Sequence, residues 1–122
     1  MKTKVIFLAL MLFAFAICAN AQLTGKKFKL TTEQNGIFYL SFGDGTYELT
    51  NPMGNTAVKG TYKIEGSTLS FADKEGEMAC PPEDIGKYKF SLKNNVLKME
   101  LIEDNCQGRP NMAASSWEMV DK

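Results

Sequence analysis

Apolar residues recur at every second position through much of this chain, and that period limits its fold more than any other feature. Phe38, Leu40 and Phe42 alternate with Tyr39 and Ser41, and Val58, Gly60, Tyr62 and Ile64 alternate with Lys59, Thr61, Lys63 and Glu65. Tyr88, Phe90 and Leu92 interleave with Lys87, Lys89, Ser91 and Lys93, and Leu97, Met99 and Leu101 with Lys98 and Glu100. Successive side chains of a strand point to opposite faces, so each run turns one apolar face inward and one charged face to water. That is the signature of half-buried antiparallel strands. Gly43-Asp44-Gly45, Glu65-Gly66-Ser67 and Asn94-Asn95 separate such runs, and Gly and Asn accept the positive φ of hairpin turns. The pattern predicts eight strands, at about 26–32, 36–43, 46–51, 57–65, 68–73, 86–93, 96–103 and 115–121. No stretch carries a helical stripe. The expectation is an all-β, antiparallel, up-and-down eight-stranded barrel, whose closure removes exposed strand edges.

Residues 1–21 read as a secretory signal. Lys2 and Lys4 form a positive start, residues 5–17 are continuously apolar, and Ala19-Asn20-Ala21 is a small-x-small cleavage site. The apolar run is too short to span a bilayer as a helix. Cleavage is expected before Gln22, leaving one domain over 22–122 in a secreted or periplasmic location. Cys18 offers a lipoprotein alternative, which Ile17 disfavours by standing where such signals need a small residue. Setting aside Lys2 and Lys4 leaves 12 basic against 14 acidic residues. No basic patch stands out, so nucleic acid is not an expected partner, and no later segment reads as a membrane span.

Two connections are longer than hairpins require, at 74–85 and 104–114, and each holds one of the two remaining cysteines. In an exported chain Cys80 and Cys106 are expected to pair, tying the two loops together. Arg109, the only arginine, follows Gly108 and precedes Pro110 in the second loop. Two roles are open to it: anchoring the loop through Asp104 or Trp117, or offering its planar fork to an anionic ligand at the barrel mouth.

The stretch "LSFGDGTYEL" (40–49) followed by "GTYKIEGSTLSF" (60–71) resembles the lipocalin-like proteins exported by many bacteria. Asp104, Cys106, Gly108, Arg109 and Trp117 resemble a recurrent ending of such small secreted barrels. The resemblance implies a calycin-type barrel able to hold a small apolar ligand. Its motifs are mostly turn and core residues, which report fold better than function. "GTYKIEGSTLSF…MAC" is also similar, more weakly, to META-type domains.

The residues do not point to an enzyme. There is no histidine, and no Asp, Glu, Lys or Tyr pair stands at a recognisable catalytic spacing. No cofactor or metal is expected either. There is no C-x-x-C, and the acidic stretch of Asp73, Glu75, Glu77, Glu83 and Asp84 lacks calcium-loop spacing and reads as solvated charge. The scattered methionines read as core filling. Binding remains, in two forms. A small hydrophobic or amphiphilic ligand would sit in the barrel, contacted by Phe42, Tyr62, Tyr88, Phe90, Trp117 and Arg109, unless the aromatic residues simply fill the core. Alternatively, the disulfide-tied loops around Cys80 and Cys106 bind or inhibit a protein partner. The expected state is a monomer.

Overall fold

A computed structural model describes residues 22–120 of the chain; the segment read as an export signal lies outside the described residues. Eight strands follow one another: β1 (Lys27–Thr32), β2 (Gly36–Phe42), β3 (Thr46–Thr50), β4 (Thr56–Glu65), β5 (Thr68–Glu75), β6 (Gly86–Lys93), β7 (Val96–Glu103) and β8 (Ser116–Met119). Each pairs antiparallel with its sequence neighbour, and β8 closes the ring by pairing with β1 through Phe28↔Met119 and Lys29↔Glu118. The fold is therefore all-β, one closed eight-stranded antiparallel up-and-down barrel. Asn94 and Asn95 take φ of 53° and 64° to make the tight turn between β6 and β7, the conformation a two-residue hairpin demands.

Two elements depart from the sequence expectation. The first is a short helix, α1 (Arg109–Ala113), inside the second long loop. Five residues are too few to show an amphipathic stripe, and Pro110 in its first turn is pre-set for helix. The second is the length of β5, which runs on to Glu75 instead of ending near 73. The added residues, Lys74 and Glu75, are exposed, and Glu75 pairs with Lys59 of β4.

The two ends of the barrel differ. At the end made by the 43–45 turn, the turn at 22–25 folds across the opening and buries Leu23 completely. It is held by the Gly25 N–H donating to Phe42 O at 2.8 Å. Phe42 packs edge-on against Phe28 and Tyr62, with ring centroids 5.9 and 5.0 Å apart. These are favoured aromatic geometries. The Tyr62 hydroxyl donates to Gly43 O at 2.9 Å, so its polar tip is satisfied. This end is a packed core. The opposite end carries both long loops and α1.

Candidate functional site

Arg109 is the centre of the loop end. Gly108, with φ of 90°, turns the chain so that α1 begins at Arg109 and sends the guanidinium inward. Nε and Nη2 grip the Asp104 carboxylate at 2.7 and 2.8 Å, a bidentate fork. Nη1 donates to Asp73 Oδ1 at 3.0 Å, and Nη2 also donates to the Asp84 carbonyl at 2.5 Å. The side chains of Asp73 and Asp104 are 2 and 0 % exposed and that of Arg109 is 12 %, so the cluster is withdrawn from water. Gly86 makes room for it, since a Cβ there would stand 2.5 Å from Asp104 Oδ2 and 2.9 Å from Arg109 Nε.

Both carboxylates collect further donors. The Tyr47 hydroxyl donates to Asp73, and the Tyr88 hydroxyl to Asp104. The N–H groups of Cys80 and Cys106 donate to Asp73 and Asp104, each at 2.9 Å. Burial alone would raise the Asp104 carboxyl, but hydrogen bonds from Arg109, Tyr88 and Cys106 outweigh it and hold Asp104 below its ordinary value. Burial, then the adjacent carboxylates, push both tyrosines up, so they stay neutral donors. Burial works against the charge on Arg109, yet its two carboxylates raise it further.

These contacts correct the sequence expectation for Asp73, which is part of the core and not of a solvated acidic loop. The signal lay in its phase, two residues beyond Phe71 on the inward face of β5. Of the two roles open to Arg109, the contacts of the anchoring one are present: it pairs with Asp104, and with Asp73 as well.

Cys80 and Cys106 form the disulfide, with Cα atoms 5.9 Å apart. Their backbone N–H groups are the ones bound by the two aspartates, so the bridge and the ion cluster hold the same two loops. Closing a loop across 26 positions contributes about 3.5 kcal/mol on the chain-entropy model. The Cys80→Ala/Cys106→Ala double variant is expected to keep its circular-dichroism spectrum and lose about that stability in denaturant titration. Two titratable thiols in the native protein would contradict the bridge. Asp73 and the two sulfurs also have ligand atoms within 4.8 Å of one another. A disulfide sulfur is not a thiolate ligand, and the guanidinium on Asp73 opposes a cation.

Under these loops lies a cavity of about 220 Å³, open on one side. Its apolar wall includes Leu40, Leu49, Val58, Met99, Met112 and Trp117, and its polar wall is made by Tyr47, Asp73 and Arg109. Trp117 donates its Nε1 proton to the Met112 carbonyl at 3.2 Å, fixing the indole against α1.

Of the residues expected to touch a ligand, the structure places Arg109 and Trp117 on this cavity. Phe42 and Tyr62 belong to the packed opposite end, Phe90 pairs with Met99 across β6 and β7, and Tyr88 supports Asp104. None of these four lines the cavity. Leu40, Leu49, Val58 and Met112 do, and sequence reasoning did not single them out. Comparison with family models, with curated proteins and with solved structures finds no match.

Proposed function

We propose that this domain is an exported binding protein that takes one small apolar molecule into the loop-end cavity. The observation that carries this is the cavity itself: an apolar chamber of about 220 Å³ inside a barrel whose other end is packed. An eight-stranded barrel has room either for packed side chains or for one small ligand, and this one divides its length between the two. An apolar cavity of roughly 150 Å³ already accommodates benzene, so a single aromatic ring with a short substituent suits the space. The disulfide accords with an oxidising, exported location. The up-and-down barrel accords with the lipocalin-like resemblance. The ion cluster holds the cavity's roof in place before a ligand arrives, which lowers the ordering cost of binding.

The test uses Trp117, the only tryptophan in the chain and part of the cavity wall. Titration with toluene is expected to change its emission saturably, with Kd on the order of 0.1–1 mM because so small a molecule buries little surface. Val58→Phe, which fills the chamber, is expected to abolish the change. A linear, non-saturating response in the natural protein contradicts the proposal. The second reading, a protein partner held by the loops, draws on Met78 and Ile85, apolar side chains 50 and 41 % exposed in and beside the tied loop. It would lead if toluene failed to bind.

A further inference from the structure

The polar wall of the cavity carries a charge balance that bears on which ligands enter. Among the described residues, Asp73 and Arg109 are the only charged side chains on the cavity surface, and Asp104 lies directly behind Arg109. Two buried carboxylates therefore face one guanidinium, and the tyrosines beside them stay neutral. The cluster has a net charge of about −1 in a site shielded from water, where Coulomb interactions are stronger than at the surface.

Hydrogen-bond capacity leaves one open acceptor position on Asp73 and one uncommitted Nη1 proton on Arg109, so the net charge of the cluster is what disfavours an anion. A guanidinium has about five N–H donors and a carboxylate about four acceptor positions. Arg109 commits its Nε and Nη2 groups wholly, to Asp104 and the Asp84 carbonyl, and one Nη1 proton to Asp73. Asp104 accepts from Arg109 twice, from Tyr88 and from the Cys106 N–H, which saturates it. Asp73 accepts from Tyr47, Arg109 and the Cys80 N–H, one fewer than a carboxylate can take. Of the two aspartates it is also the one on the cavity wall.

From this we infer that the cavity selects a small apolar molecule whose polar end donates a hydrogen bond and carries no negative charge, an amine or an alcohol, and that it turns carboxylates away. The inference rests on the proposed cavity binding and narrows it to a ligand class. It also speaks against the second of the two roles open to Arg109, receiving an anion, because the guanidinium is already over-neutralised by the protein's own aspartates.

Three ligands of one shape test it: phenethylamine, phenethyl alcohol and 3-phenylpropionate, titrated by calorimetry into the purified, disulfide-intact protein at pH 7. The amine and the alcohol are expected to bind, and the carboxylate at least tenfold more weakly than either. Asp73→Asn, which brings the cluster to neutrality, is expected to narrow the gap between amine and carboxylate several-fold. Phenylpropionate binding as tightly as the amine in the natural protein would overturn the selectivity and leave cavity binding standing. Failure of all three to bind while toluene binds would overturn the selectivity alone, and failure of toluene as well would overturn both. The natural protein decides the matter even if the Asn variant does not fold.

Discussion

Replacing Arg109 by Met is expected to destabilise the domain by roughly 3–5 kcal/mol, the loss typical when one partner of a buried ion pair is removed. The size follows from what is left behind: Asp73 and Asp104, both buried, lose the cation that pairs with them. Arg109→Lys is expected to recover little of it, since an ammonium cannot grip Asp104 in a fork while reaching Asp73 and the Asp84 carbonyl. Acid distinguishes this mechanism from lost packing. In the natural protein Asp104 sits below the ordinary aspartate value of 3.8, so its contribution is complete above that pH and fades as acid drives protons onto it. In Arg109→Met the desolvation of Asp104 is no longer opposed by the guanidinium, so protonation relieves it. The variant should therefore gain stability as pH falls from 7 toward 4, where the natural protein holds steady or declines. Chemical denaturation across that range reads both slopes, and parallel slopes would contradict the account of the cluster.

Phe42→Ala is expected to cost about 3–5 kcal/mol, the range for deleting a large aromatic from a close-packed core. Phe42 is 3 % exposed and touches the rings of Phe28, Tyr62 and Phe71, so its removal opens a void that its neighbours cannot fill without leaving their rotamers. Leu49→Ala, at the cavity wall, should fall near the lower end of the leucine range, about 2–3 kcal/mol, because one of its faces already borders empty space. The two variants should also separate in binding. Phe42→Ala leaves the toluene response of Trp117 in place, and Leu49→Ala alters it. Equal stability losses with equal binding effects would mean that the two ends of the barrel are not different in kind.

The strands were legible because their residues repeat every two positions and their turns carry Gly or Asn at the points that need positive φ. The disulfide was legible because Cys80 and Cys106, the two cysteines outside the segment read as a signal, leave one pairing. The helix at Arg109 was not, since five residues cannot display a period. Asp73 shows a different failure. Its charge and its acidic neighbours suggested solvent, while its phase with Leu69 and Phe71 pointed inward. Phase won because Arg109, 36 residues later, brings the partner that burial of a carboxylate requires. The cavity was illegible for a related reason. Leu40, Leu49 and Val58 have the same inward phase as residues of the packed end, and only the docking of α1 and the tied loops decides which end is left hollow.

That difference between the ends can be seen directly by pressurising crystals of the domain with xenon, which occupies dry apolar cavities. Xenon density is expected at the loop end, in contact with Leu49, Val58, Met112 and Trp117, with none beside Phe42 and Tyr62. A loop end filled by its own side chains, with no xenon there, would contradict a barrel built to hold a ligand.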